Sequence, residues 1–402
     1  MKNNWTTIKL GDLFEFKYGR GLTAEHRQAG GSVRVYGSNG VIGRHNNPLS
    51  QGPTIIIGRK GSVGEINFSP TACWPIDTTY YIDEFPNEFP PQYWALYLKS
   101  LRLGSHDKSS AIPGVSRKDI YSIDVSIPPI PEQQRIVAKL GKLLAKVEAY
   151  QERLNKIPAL LKRFRQSVLT AACSGNLTAD WRKENCVNDE WSVQSLGEIF
   201  TMRNGKSLTA IKRKIGDIPV YGGNGLMGMH NKENAEGQII VIGRVGAQCG
   251  NVHYVSGKVW VTDNAISFQA KNDVVPAFYA FFLRSQNLNQ LSGGTGQPYV
   301  SQEILAPLEA PVVSLSEQQE IVRRVEALLK IADQIEERYK KAKAYIDKLT
   351  QSILAKAFRG ELVPQNPNDE PASALLERIR STRVAEFSER KPPRRLKSKG
   401  KA

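Results

Sequence analysis

Four cysteines in 402 residues, at positions 73, 173, 186 and 249, form no Cys-x-x-Cys pair. This excludes a zinc ribbon or a disulfide scaffold as the organising device. The five histidines are as sparse and lack metal-ligand spacing. Long apolar runs are also missing. A mean hydropathy of −0.38 and the polar start Met1-Lys-Asn-Asn-Trp-Thr-Thr-Ile-Lys-Leu10 argue against a membrane protein or a secretory signal. The expectation is a soluble, cytoplasmic chain. Acidic side chains are in deficit, 39 against 55 Lys and Arg, for a net charge of +16. Such an excess suggests a polyanionic partner without establishing one. It is also uneven: residues 378–402 carry +8 and residues 186–315 balance to zero. Local side chains and that tail must therefore supply any affinity for a polyanion.

What is present is a duplication. Trp5-Thr-Thr-Ile-Lys-Leu-Gly-Asp-Leu-Phe14 returns as Trp191-Ser-Val-Gln-Ser-Leu-Gly-Glu-Ile-Phe200. Tyr36-Gly-Ser-Asn-Gly40 returns as Tyr221-Gly-Gly-Asn-Gly225, and Ile57-Gly-Arg-Lys-Gly61 as Ile242-Gly-Arg-Val-Gly246. Trp74 and Asp77 map to Trp260 and Asp263, Pro113 and Ser116 to Pro298 and Ser301, and Gly175 to Gly360. The offset stays at 185 or 186 throughout. A register held that long marks two copies of one unit, followed by a tail.

Each copy changes character once. Its first part is rich in Gly, Asn and Pro, with short β-branched runs such as Thr54-Ile-Ile-Ile57 and Gln238-Ile-Ile-Val-Ile242 that read as buried strands. Tyr93–Leu98 and Phe278–Leu283 read as short helices under the sheet. The second part is helical. Ile136, Leu140, Leu143, Val147, Leu154 and Leu161, then Ile321, Val325, Leu328, Ile335, Ile346 and Ile353, fall on a narrow seam with a 3.5-residue period. That spacing is the signature of a coiled coil. Pro131 opens one helix and Ser314 and Ser316 the other; Gly175 and Gly360 end them, and Pro158 predicts a kink. A narrow seam needs a partner, either the other copy or another subunit. Antiparallel self-pairing is favoured, because each helix carries the chain from one globular part towards the next.

The expected architecture is α/β (α+β). Two globular domains, 1–130 and 186–315, are joined by two long antiparallel helices, 131–185 with its linker and 316–362, in a pseudo-twofold repeat. A basic tail, 363–402, follows.

At this point the chain resembles the specificity subunit of Type I restriction-modification systems. The resemblance rests on Ile130-Pro-Glu-Gln-Gln-Arg-Ile-Val137 and Leu315-Ser-Glu-Gln-Gln-Glu-Ile-Val322 at the two helix starts. It also rests on the helix ends at 167–177 and 352–362 and on the tail at 363–373. It implies two target-recognition domains, each reading one half of a split, asymmetric double-stranded DNA site. It further implies a helical ruler that docks two methyltransferase subunits, with restriction and translocase subunits beyond them. No catalysis is expected in this chain; S-adenosylmethionine, ATP and Mg2+ are expected on the partner subunits.

Candidate DNA contacts follow from residue chemistry. Arg59, Lys60 and Arg244 lie in Gly-flanked loops, where arginine can pair with guanine or phosphate. The structural alternative is a tight hairpin whose arginine binds a carboxylate such as Asp77 or Asp263. Asn39 and Asn224, Arg44, His45 and His230 occupy matching glycine-rich turns. Asparagine can contact adenine there, but it is more often a plain turn residue. Arg117, Lys118, Tyr299 and Gln302 follow or flank Ser116 and Ser301, where a helix cap and a phosphate contact compete as readings. Where the copies differ (Lys60 against Val245, Arg44 against Met229, Arg117 and Lys118 against Gln302 and Glu303), two heads would read different half-sites.

Catalytic signals fail on inspection. Gly205-Lys-Ser207 mimics the end of a phosphate-binding loop, but Phe200 stands where its first glycine is required. Glu15-Phe-Lys17 has Thr201-Met-Arg203 as its counterpart, with no carboxylate. A metal-dependent nuclease using Glu15 or Asp77, and a protein adaptor that binds no DNA, are the competing classes.

Overall fold

The computed structural model describes residues 4–86, 88–106, 116–187, 191–291 and 298–389. Pro113 and the last part of the basic tail, 390–402, lie outside the described residues. The chain divides into two compact units: residues 1–152 with 343–402, and residues 153–342. Among the described residues no helix is long and apolar enough to cross a membrane.

In the first unit the strands run β1 (Thr6–Lys9), β2 (Lys17–Tyr18), β3 (Val33–Gly37), β4 (Gly40–His45), β5 (Thr54–Gly58), β6 (Ile66–Ser69), β7 (Cys73–Pro75), β8 (Thr79–Ile82) and β9 (Asp124–Ile127). They form a four-stranded sheet of order β2-β8-β5-β6, a three-stranded sheet β4-β3-β7 and the pair β1-β9. The run Thr54-Ile-Ile-Ile-Gly58 is buried on both faces. Ile55 and Ile57 face a core shared with Tyr93, Trp94 and Leu98, whereas Ile56 packs with Tyr36 and Cys73 of the other sheet. Two-sided burial removes the polar alternation of a half-exposed strand.

The second unit repeats this plan with β10 (Ser192–Ser195), β11 (Phe200–Asn204), β12 (Ile218–Gly222), β13 (Gly225–His230), β14 (Ala235–Gly243), β15 (Val252–Val261), β16 (Ala265–Ala270) and β17 (Glu309–Val312). Here the two sheets fuse into one of order β11-β16-β14-β15-β12-β13. The cause is local: β14 and β15 pair without interruption from Ala235↔Val259 to Ile242↔Val252. In the first unit the equivalent of β15 is broken into β6 and β7. Ile240 and Ile242 face the helix Pro276–Ser285, and Ile239 and Val241 face the opposite layer with Val255 and Val259.

Two 44-residue helices, Ile130–Cys173 and Leu315–Phe358, each contribute to both units. The first continues through Pro158, which costs it one main-chain hydrogen bond. In the first unit Ile136 and Leu140 share a core with Leu354, Ala357 and Phe358; in the second, Val168, Leu169 and Ala172 share one with Ile321 and Val325. In each unit the start of one helix therefore lies beside the end of the other, an antiparallel pairing. Burial along the seam is graded. Val147 and Leu161 are buried, Leu143, Leu154, Leu328, Ile346 and Ile353 half-buried, and Ile335 remains 42% exposed. Ile136, Leu140, Ile321 and Val325, which also join a head's core, are fully buried. Gly175 and Gly360 both adopt φ near +77° after the helix ends. At Gly360 the left-handed turn lets Glu361 N reach back to Lys356 O at 2.9 Å, a glycine-dependent stop.

The shared Glu-Gln-Gln motif fastens each head to its helix. Trp5 Nε1 donates to Glu132 at 3.0 Å and Trp191 Nε1 to Glu317 at 3.2 Å. Gln133 Nε2 donates to Pro128 O and Gln318 Nε2 to Val313 O, at 3.0 and 2.9 Å. The tail continues as a helix, Ala372–Glu389. Its Ala372, Leu375 and Leu376 complete the first unit's core, and Asp369 just before it binds Arg135 at 2.6 Å.

Candidate nucleic-acid interface

The two heads build one scaffold from two sets of side chains. After the first sheet strand the chain makes a loop, 19–31 in one copy and 205–216 in the other. Gly19 N donates to Thr79 O and Gly205 N to Ala265 O. A Cβ at these glycines would sit 2.0 Å from Ile76 O and 2.1 Å from Thr262 O, so the loops lie directly on backbone. Gly205-Lys-Ser207 is therefore a packing turn. Trp74 Nε1 closes on Arg20 O and Trp260 Nε1 on Lys206 O. A short 3-10 turn follows in both, Ala24–His26 and Ala210–Lys212. Arg27 Nη1 then donates to Ile42 O at 3.3 Å, and Arg213 Nη1 to Met227 O at 2.8 Å. Neither arginine stood out in the sequence, although the repeat aligns them directly at an offset of 186.

The hairpins β3-β4 and β12-β13 carry the next candidates. Asn39 and Asn224 occupy their two-residue turns and are exposed. His45 and His230 pack edge-on against Trp74 and Trp260, at 5.2 and 5.1 Å between ring centroids. His230 is 5% exposed, and its Nδ1 accepts from Lys214 N at 3.1 Å. His230 thus sits inside the scaffold, and His45 is half-buried at the matching place. Arg44 is exposed, with Nη1 donating to Gly31 O at 3.3 Å; Met229 takes its place in the second head.

The Gly-Arg loops diverge most. Arg59 Nη2 donates to the main-chain carbonyl of Asp77 at 2.8 Å, where the sequence suggested a carboxylate. Its guanidinium lies over the rings of Tyr18 and Tyr80, 5.6 and 5.8 Å from their centroids. Burial, with the Tyr18 hydroxyl beside it, pushes the Tyr80 phenol up to about 12. Tyr18 and Tyr80 are cross-strand neighbours; the matching pair beside Arg244 is Asn204 and Ile266. Arg244 keeps the backbone position, its N donating to Asn264 O as Arg59 N does to Thr78 O. Lys60 is exposed.

Arg117 and Gln302 converge from different chemistry. Arg117 Nη1 donates to Phe16 O at 3.3 Å and lies over Tyr18 at 5.1 Å. The Gln302 amide, oriented to satisfy both ends, donates to the equivalent Met202 O at 3.3 Å and accepts from Asn204 N at 3.1 Å. Ser116 caps the helix Arg117–Tyr121, accepting from Asp119 N at 3.1 Å, and leaves Lys118 exposed. Tyr299 pairs with Val245 in an isolated bridge and keeps 43% of its surface in water.

The lysine of Glu15-Phe-Lys17 is engaged elsewhere. Lys17 Nζ is held by Asp83 and Glu84 at 2.8 and 2.7 Å. Among the described residues no three His, Cys, Asp or Glu side chains group as metal ligands.

Comparison with known proteins agrees with this duplicated plan. The family model for the Type I restriction modification DNA specificity domain matches twice, over residues 2–159 and 188–344. The chain is 32% identical over 321 residues to the Type I restriction enzyme EcoKI specificity subunit of Escherichia coli K12, covering 71% of this chain and 69% of that protein. It is 29% identical over 435 aligned positions to the Escherichia coli EcoDI specificity subunit, covering 95% and 96%. Two solved structures share the fold. One is a chain from a study of complex assembly and conformational transition in the type I system, with a TM-score of 0.64, 15% identity and coverage of 89% and 98%. The other is the HsdS subunit from Thermoanaerobacter tengcongensis, with a TM-score of 0.56, 17% identity and coverage of 89% and 97%.

Proposed function

We propose, for a chain that belongs to the Type I restriction-modification DNA specificity family, that its two heads read the two different halves of one split DNA site. One observation carries this reading: the Trp74/Trp260, Arg27/Arg213 and Arg117/Gln302 anchors recur in both heads, while outward side chains change between the copies. Arg44 answers Met229, Lys60 answers Val245, and Lys118 answers Glu303. Two heads presenting different side chains on one frame select an asymmetric target. Exposed cations such as Lys60, Lys118 and Arg44 fit phosphate or guanine contacts, and Asn39, Asn224, Arg244 and Tyr299 are further candidates for base or phosphate contacts. Arg59, Arg117, Gln302, His45 and His230 hold the frame on which these sit.

The long helices serve as spacer and dock. At about 1.5 Å per residue, 44 residues extend roughly 66 Å, longer than one turn of duplex, about 34–36 Å. Exposed Tyr150, Leu160, Phe164, Ile335 and Tyr345 along them support protein partners, here two methyltransferase subunits, with restriction and translocase subunits joining the complex. S-adenosylmethionine, ATP and Mg2+ belong to those partners, and this chain supplies recognition.

The test is single-molecule methylation mapping in cells expressing the chain with its methyltransferase subunits. Replacing residues 1–130 with the matching segment of a relative changes one half-site and leaves the other. Loss of both half-sites, or of neither, overturns the two-head reading. Inserting four residues, about 6 Å of helix, into one long helix alters the gap between half-sites; an unchanged gap removes the spacer role.

A further inference from the structure

The loop 205–216 of the second head is fixed by its main chain and by Arg213, while Lys206, Ile211, Lys212, Lys214 and Ile215 are exposed. Gly205 N, Lys206 N and Lys214 N are taken by Ala265 O, Val261 O and His230 Nδ1, at 3.0, 2.9 and 3.1 Å. Gly216 lies so close that a Cβ would meet His230 O at 2.3 Å. On this rigid base Ile211 and Ile215 are 97% and 101% exposed. Isoleucine held wholly in water contributes nothing to the core, and its burial elsewhere would be favourable. Around them stand Lys206, Lys212 and Lys214. Residues 203–216 hold five of the ten basic residues between 186 and 315, and no acidic one. The head is neutral as a whole, so its positive charge is gathered here.

The first head carries the same loop with other side chains. Glu25 stands for Ile211, Gln28 for Lys214 and Ala29 for Ile215, and on the neighbouring strand Arg44 stands for Met229. The frame beneath is unchanged: Gly31 lies against His45 O as Gly216 does against His230 O, and Arg27 binds Ile42 O as Arg213 binds Met227 O. A surface that met one partner common to both heads would be alike in both.

We infer that residues 205–216 are the element with which the second head reads its half-site. Lys206, Lys212 and Lys214 hold phosphates, and Ile211 and Ile215 meet thymine methyl groups in the major groove. Thymine is the base that offers an apolar edge there, and flanking lysines fix position without selecting sequence. The inference rests on the two-head reading above.

The experiment uses the full chain in complex with its methyltransferase subunits, with the Ile211→Ser, Ile215→Ser double variant beside it. Both side chains are wholly exposed, so the fold is not at stake. The half-site of the second head is the one that survives replacement of residues 1–130. Deoxyuridine for thymine in that half-site removes only the methyl group and should weaken binding about fourfold per contact, the worth of one buried carbon. The double variant should already be weakened, should ignore deoxyuridine, and should relax methylation at that half-site alone. A half-site without an A·T pair overturns the inference, as does indifference of the parent complex to every deoxyuridine. So does an unchanged methylation map in the variant, or a variant that no longer co-purifies with its methyltransferase subunits, which would mark the loop as a protein dock. A parent complex that directs no two-part methylation defeats the two-head reading itself; one that does so while the variant behaves like the parent defeats only the loop.

Discussion

Glu317 accepts the indole N–H of Trp191 at 3.2 Å while only 1% of its surface reaches water. Its other oxygen takes the Thr178 hydroxyl at 2.7 Å and the Arg182 guanidinium. One carboxylate thus joins the start of a long helix, the interdomain linker and the first tryptophan of the second head. Glu317→Ala strands three donors, one of them charged. It should cost about 3–5 kcal/mol, the usual penalty for breaking a buried pair from one side. Glu317→Gln, which keeps an acceptor, should cost clearly less. Urea denaturation of both variants measures this; an alanine variant as stable as the parent would remove the clamp.

Arg59 and Arg244 should separate by phenotype. Arg59 is engaged by two tyrosine rings and a carbonyl, so Arg59→Ala should destabilise the first head by about 1–2 kcal/mol. Arg244 makes no side-chain hydrogen bond among the described residues, and Arg244→Ala should melt within about 0.5 kcal/mol of the parent. It should instead weaken DNA binding by the complex and lower the salt slope by about one. Thermal melts and salt titrations read both effects, and the reverse pattern would refute the assignment.

Arg324 joins two carboxylates, Asp180 and Glu320, at 2.6 Å each. Hydrogen bonds from Arg323 and Arg324 hold the Glu320 carboxyl down to about 2, from an ordinary 4.5, and Arg324 likewise lowers Asp180. A carboxyl whose folded pKa is depressed stabilises the fold above its unfolded value and loses that contribution as pH falls towards the folded one. Melting temperature should therefore fall from pH 4.5 towards 2. In Arg324→Ala the fall across this window should be shallower; an identical slope would show that this cluster does not set it.

Gly205 tests the loop from beneath. Because a Cβ there would lie 2.1 Å from Thr262 O, Gly205→Ala must lift residues 205–216 off the head. Methylation mapping should show a degraded second half-site and an intact first one. Equal loss at both would contradict the local effect.

The duplication, the two long helices and their glycine stops were legible because each depends on local chemistry: a 3.5-residue apolar period, a capping turn, a left-handed residue. The fusion of the second unit's sheets was not. It depends on whether β15 continues past Val255 or breaks as the chain does after Ser69, and pairing with β14 decides that. The seam was legible as a pattern but not in its depth; Ile335 obeys the period and remains 42% exposed, while Val147 and Leu161 on the same period are buried. Candidate residues were found as types, yet their roles needed register. Only the cross-strand pairing of Tyr18 with Tyr80 reveals that Arg59 is clamped, and only Trp74 and Trp260 reveal why the two histidines coincide. Ile211 and Ile215 gave no signal beyond hydrophobicity in a basic loop, since exposure is a tertiary property.

Arg117 and Gln302 end on the same main-chain oxygen of their respective heads, one through a guanidinium and the other through an amide. A carbonyl oxygen accepts from any donor that reaches it, so the anchor constrains geometry and leaves chemical identity open. Such a position can exchange charge for neutrality in a single substitution while the head still folds. After duplication, each head was therefore free to drift towards its own target without first losing its shape.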